Sequence, residues 1–252
     1  MNWRTRRQLA ILIVVLTFFG AIFGLWYWLN KPTPTCFDNI KNGTEIGVDC
    51  GGGCLRVCTE EVRDIRNIWA RVFEITPGVY SVVGLFENPN LGFASTEAKY
   101  TISYVSRKGE VLGTEEGITF INPAQTFPIF ASNFQAEAGE INQVFITFTD
   151  INWQRYAKEQ ALVSLVRQNL TLDPTPRLEA SVTNNSAYDL RDFQVVAVLS
   201  DASGNAFTTS ATLVDSLSSG QSKNIFFTWR LPFEKEVAII DLYPRVSTFD
   251  TP

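Results

Sequence analysis

Apolar and polar positions divide this chain into stretches with different periods. Residues 9–29 carry no charge at all and are apolar almost throughout, as in Leu9-Ala10-Ile11-Leu12-Ile13-Val14-Val15-Leu16. At ~1.5 Å of rise per residue a helix of that length crosses the ~30 Å hydrocarbon layer of a bilayer. Past residue 60 the period shortens. Tyr100-Thr101-Ile102-Ser103-Tyr104 and Phe145-Ile146-Thr147-Phe148 alternate apolar with polar, and other apolar runs last five to seven residues. Turn-forming segments such as Asn88-Pro89-Asn90, Arg107-Lys108-Gly109, Asn122-Pro123-Ala124, Asn184-Asn185-Ser186 and Ser218-Ser219-Gly220 separate these runs. Short strands punctuated in this way predict antiparallel β-sandwiches.

The strand pattern also repeats. A shift of 96 residues lays Val82, Gly84, Phe86 and Asn88 on Leu178, Ala180, Val182 and Asn184. The same shift lays Ile121, Gln125 and Ile129 on Leu217, Gln221 and Ile225. A constant offset over so many positions indicates two copies of one domain, predicted over residues 62–152 and 153–252. Each is expected to hold about seven strands and to unfold independently of the other. The join at Asn152–Val163 fits a helical stripe as well as a strand, and the repeat favours strand for its latter part.

Arg4, Arg6 and Arg7 precede the apolar run, while only Lys31 follows closely. This asymmetry predicts a cytoplasmic stub at 1–8, a span at 9–29 and an extracytoplasmic remainder at the plasma membrane. Trp26, Tyr27 and Trp28 would then lie at the outer headgroup level. A cleaved signal peptide would need a shorter apolar run ending in small residues, so the anchor is the expected reading. Gly20 and Gly24 form a G-x-x-x-G that would let two such helices approach, giving a candidate dimer face.

Charge narrows the partners. Three of the 21 basic residues precede the span, leaving 18 against 26 acidic ones beyond it, a net of −8. Such a surface repels nucleic acid. The chain contains no histidine, which removes Ser-His and Cys-His nucleophile pairs and His-ligated metals. Glu115 and Glu116 are adjacent and therefore on opposite strand faces, so they are not a carboxylate pair for acid–base work. No enzyme is expected. Phe127, Phe130, Phe134, Phe226, Phe227 and Trp229 could line a ligand surface, although core positions explain them equally well.

A spacer at 30–35 leads to a compact module at 36–58 that holds all four cysteines, Cys36, Cys50, Cys54 and Cys58. In an oxidising compartment these read as two disulfides, with three pairings open. A zinc site would require all four thiols reduced. Asp38, Asn42, Glu45 and Asp49 offer oxygen ligands for calcium, yet Asp, Asn and Gly are also what turns are made of. The residues Cys36, Asp38, Ile40, Asn42-Gly43, Glu45, Gly47-Val48-Asp49-Cys50-Gly51-Gly52 and Cys54 resemble a small extracellular motif of the form C-x-D-G-I-x-N-G-x-E-T-G-V-D-C-G-G-x-C. That resemblance implies a stapled extracellular knot without a defined activity.

The second copy resembles the FxLYD-type Ig-like family through Val182-Thr183-Asn184-Asn185-Ser186, Phe193-Gln194-Val195, Asp201-Ala202-Ser203-Gly204-Asn205 and Leu217-Ser218-Ser219-Gly220-Gln221. The first copy matches through Glu87-Asn88-Pro89-Asn90, Tyr104 and Gly109. The resemblance implies an all-β ectodomain of two tandem Ig-like sandwiches behind a transmembrane helix and a disulfide-rich module, with no catalytic residues to carry over. The expected function is protein–protein contact in the cell envelope, as an adhesion or scaffold component. Alternatives are an accessory subunit of a secretion, pilus or wall-assembly machine, and a cell-wall carbohydrate-binding module.

Overall fold

The computed structural model describes residues 3–30, 33–157 and 160–249, so Lys31 and Pro32 of the expected spacer lie outside the described residues. The chain forms two compact units, one ending at Cys54 and the other beginning at Leu55.

In the first unit the apolar run is a single helix, α1, over Trp3–Leu29. It begins earlier than the expected span, because Arg4, Arg6 and Arg7 continue the helix, with Arg7 lying 4.7 Å over the ring of Trp3. At ~1.5 Å per residue it is ~40 Å long. None of its residues is buried. It is long and apolar enough to cross a membrane.

The second unit is all β. Its first half contains β1 (Arg66–Thr76), β2 (Val79–Glu87), β3 (Phe93–Ser106), β4 (Val111–Ile121), β5 (Thr126–Gln135) and β6 (Ile141–Arg155). Its second half contains β7 (Val163–Thr171), β8 (Arg177–Asn184), β9 (Leu190–Ser200), β10 (Ala206–Leu217), β11 (Ser222–Thr228) and β12 (Ile239–Arg245). Among the described residues there are thus six strands per half, not seven. Sheets β1-β2-β5 and β4-β3-β6 enclose one core, and sheets β11-β8-β7 and β10-β9-β12 enclose another. Each strand of the first half has its counterpart six strands later, with the same neighbours.

The register repeats as well. Val82 faces Ala131 and Phe86 faces Phe127 across β2 and β5, while Leu178 faces Phe227 and Val182 faces Lys223 across β8 and β11. Every one of these residues is displaced by the 96 positions seen in the sequence. Val82, Phe86, Leu178 and Val182 all lie in the cores, each 2% exposed or less.

One correction follows from β6. It runs through to Arg155, with Trp153 paired to Ser95 and packed on the first core, so the halves meet after Arg155 and not at 152/153. No helix forms among the described residues of the join.

The turn after β2 and the turn after β8 share one device. Asn88 Nδ2 donates to the carbonyls of Phe93 and Asn122, while its Oδ1 accepts from the Asn90 N–H. Asn184 Nδ2 donates to Tyr188 and Leu217, and its Oδ1 accepts from the Ser186 N–H. Each asparagine therefore satisfies three backbone groups where two sheets meet, which explains why an amide is buried here.

A third apolar cluster joins the halves. Alternation along β2 sends Val82 and Phe86 into the first core and Val83 to the opposite face. Along β9 it sends Val195, Ala197 and Leu199 into the second core, and Val196 and Val198 outward. Val83, Val196 and Val198 meet there with Phe73 and Ala206, flanked by Trp69, Phe130, Ala211 and Tyr243. β2 and β9 are consequently buried on both faces, which is why they read as continuous apolar runs.

Polar contacts reinforce the junction. Arg71 donates to the Ala206 carbonyl at 2.8 Å and to Asn205 Oδ1 at 3.1 Å. Arg245 donates to Thr119 Oγ1 and to the Phe120 carbonyl, and its guanidinium lies over the rings of Phe120 and Phe127. Burial pushes Arg245 down to about 9, which leaves it charged at neutral pH. Asn122 Nδ2 donates to the Val246 carbonyl and Asn122 Oδ1 accepts the Thr248 N–H.

Independent unfolding of the halves is therefore not what this packing supports. Scanning calorimetry should show one cooperative transition for the β unit. Val83→Asp should lower it for both halves together, because an unpaired charge would be buried between them at a cost of several kcal/mol. Two separate transitions, only one of them moved by Val83→Asp, would contradict the shared cluster. Asn184→Ala should cost about 1–3 kcal/mol in urea unfolding, since two buried carbonyls lose their donor.

Candidate functional site

The cysteine-rich module is too small to build an apolar core, and the structure shows what replaces one. Cys36 pairs with Cys54 across 18 residues, and Cys50 and Cys58 are likewise disulfide-bonded. Closing a loop of that size removes denatured-chain entropy worth about 3 kcal/mol. With every cysteine oxidised no thiolate is left to bind zinc.

The four proposed calcium ligands lie in one hydrogen-bonded module, but the carboxylates of Asp38, Glu45 and Asp49 do not gather around a common point, and all three are engaged with the backbone. Asp49 Oδ1 accepts the N–H groups of Asp38 and Asn39, and Oδ2 accepts that of Asn39 again. Asp38 accepts the Ile40 and Thr35 N–H groups and the Asn42 side-chain amide. Glu45 Oε2 accepts the N–H groups of Asn42 and Asp49. A cation would have to displace these bonds, which hold the turns. Glu45 Oε1 also lies 3.4 Å from Cys54 Sγ, a plain contact because a disulfide sulfur carries no proton. The tightest turn explains one glycine: a Cβ on Gly52, which has φ +58°, would fall on the Thr44 carbonyl.

The residues predicted for the membrane are placed by α1. Trp26, Tyr27 and Trp28 are 58%, 63% and 72% exposed at its C-terminal end. Nothing comes within 4 Å of a Cβ built at Gly20 or Gly24, so that face is bare.

Of the aromatic residues considered as a ligand surface, Phe127, Phe227 and Trp229 are core, and Trp229 Nε1 donates to the Thr209 carbonyl. Phe130 flanks the inter-half cluster and Phe134 packs against Tyr104. Phe226 stays on the surface beneath the Arg177 guanidinium.

The open site is one that the sequence did not announce. A cleft of about 1050 Å³ lies where the two halves meet, walled by β1 from Ala70 onward, the start of β6, the start of β10 and the loop after β11. Phe145 and Leu231 are its exposed apolar residues, 54% and 48% accessible. Arg71, Glu74, Arg230, Glu234 and Lys235 supply both signs of charge. Three of these are held: Arg71 by Ala206 and Asn205, Glu74 by the N–H groups of Gly78 and Gly139, and Lys235 by the Asp201 carboxylate. Among the described residues β1 pairs with β2 alone, so the strand that lines the cleft has one unpaired edge. Among the described residues lining the cleft there is no nucleophile paired with a base and no buried carboxylate pair. The only sequence signal for it was indirect: the two-faced apolar runs of β2 and β9, which imply that the halves pack and so create a seam.

No protein-family profile matches the chain, and no curated protein is significantly similar to it. Solved structures similar to parts of it include the exo-chitosanase CsxA of Amycolatopsis orientalis, at 12% identity and a TM-score of 0.23 over 64% of this chain and 23% of that one. Another is red sea bream transglutaminase, at 9% identity and a TM-score of 0.22 over 72% of this chain and 29% of that one. The chain thus spans less than a third of either protein, and likenesses this loose carry no argument about function.

Asp49→Ala should destabilise the module by about 2–3 kcal/mol, because three charge-assisted bonds to backbone N–H groups are lost. Proton titration by NMR should find Asp38 below its ordinary 3.8, chiefly because the Asn42 amide donates to it. A carboxyl lowered in the fold stabilises it above its unfolded value and ceases to do so as pH falls through the lowered one. Loosening of the module on acidification should accordingly begin below pH 3.8, and EDTA should leave it unchanged.

Proposed function

We propose that the protein is a single-pass plasma-membrane protein with a cytoplasmic N-terminus, whose extracytoplasmic part binds another envelope protein as an adhesion or scaffold component. The cleft between the halves carries this reading: it is open, edged by an unpaired strand, and lined by aromatic residues and both signs of charge. Oxidised cysteines fit an oxidising compartment, and α1 meets the length and apolarity of a span. The two halves are read as tandem Ig-like domains. The strand orders β1-β2-β5 and β4-β3-β6 correspond to an A-B-E sheet facing C′-C-F, and the second half repeats them. A free β edge beside a groove is also how extended segments are captured by strand addition.

Site-specific photo-crosslinking in intact cells tests this. A benzophenone side chain at Phe145 or Leu231 should yield one discrete protein adduct, and Phe145→Asp should reduce adducts formed from Leu231 at least tenfold. Adducts absent from both positions, together with retention of the protein on wall glycan, would replace the reading with carbohydrate binding. Protease added to intact cells should digest the β unit and spare the N-terminus.

A further inference from the structure

The cysteine-rich module is built inside out. Its acidic side chains turn inward onto backbone N–H groups, Asp49 being 8% exposed. Its apolar side chains turn outward: Phe37 is 89%, Ile40 60%, Ile46 48% and Val48 53% exposed. A segment stapled by disulfides and carboxylate-to-amide bonds does not need these four for its own stability, yet it presents all of them to the surroundings. Single exposed apolar residues are ordinary. Four within twelve residues, one of them a phenylalanine exposed almost completely, call for something to cover them.

The tether says what lies within reach. α1 ends at Leu29 and the module begins at Cys36, so six residues separate them. Fully extended, such a spacer spans roughly 20–25 Å. The Trp26-Tyr27-Trp28 group marks the headgroup level at that end of the span. The module is therefore confined to a layer comparable in depth to its own size, directly against the lipid. Its charge excludes an electrostatic attraction to anionic lipid: residues 36–54 carry Asp38, Glu45 and Asp49 against Lys41 alone. What remains is apolar insertion.

We propose that Phe37, Ile40, Ile46 and Val48 seat the module in the interfacial region of the bilayer, so that the protein meets the membrane through a second, shallow contact besides the span. This rests on the reading of α1 as a retained span. The seat is driven by the apolar area it buries and, without basic residues to draw it to anionic lipid, is indifferent to headgroup charge.

The test uses the full-length oxidised protein reconstituted in dioleoylphosphatidylcholine vesicles containing a phosphatidylcholine with a diazirine in its acyl chain. After photolysis, adducts are mapped by mass spectrometry. Adducts are expected both within 9–29 and within 36–48. A chain with Phe37→Ser, Ile40→Ser, Ile46→Ser and Val48→Ser should lose at least nine-tenths of the module adducts while keeping those in α1. An intact mass lower by four hydrogens than the reduced protein would show that the variant is still stapled, and Phe37→Ser alone serves if it is not. Adducts in α1 with none in the module would overturn the seat while leaving the span, and would assign the apolar face to a protein partner. Module adducts undiminished in the serine variants would overturn it too. Absence of adducts from α1 would overturn the span and the seat together.

Discussion

Burial of Val83, Val196 and Val198 between the two halves is the constraint from which the rest of the β unit follows. Each valine lies on the reverse face of a strand whose other face already fills a core. That requirement forces β2 and β9 to be apolar on both sides and fixes which sheet of each half meets the other. It also fixes the register, because a slip of one residue would exchange core and junction faces. The junction then recruits its polar locks. Part of the cost of burying Arg245 is offset where Nη2 donates to Thr119 Oγ1 and the Phe120 carbonyl and the guanidinium lies over two phenyl rings, while Nη1 is buried without a hydrogen-bond partner. The cleft is a by-product of this geometry, being the unfilled margin where two twisted sheets part.

What the sequence disclosed depended on periodicity. The offset of 96 residues placed Phe86 and Val182, or Asn88 and Asn184, at equivalent points because each pair answers the same packing demand. Strand boundaries were less legible: Trp153 looks like linker until its pairing with Ser95 is seen. The seam was hidden for a physical reason. A strand buried on two faces differs from a strand buried on one only by losing its alternation, and Val82-Val83 or Val195-Val196 carries no mark of which neighbour lies within its own half. Arg245 is the extreme case, since an isolated arginine before Val246 gives no sign that it will be 6% exposed.

The cysteine-rich module shows the opposite balance. Its covalent staples and its Asp, Asn and Gly content were plain in the chain. The direction of its side chains was not, because a segment with no core has no periodicity to betray it. Hydrophobicity therefore plays two different parts in one molecule: in the β unit it specifies the fold, and in the module it is left over after folding.

The lock around Arg245 bears on the order in which the molecule can be completed. β12 pairs with β9, and Tyr243, Arg245, Val246 and Thr248 supply contacts that the first half cannot make with anything nearer in sequence. Phe73 and Val83 stay uncovered until Val196, Val198 and Ala206 follow, and the locks through Arg245 and Thr248 can close only at the end. During that interval the first half is a sticky intermediate, and the time taken to complete the chain, rather than final stability, sets how long it needs protection from aggregation.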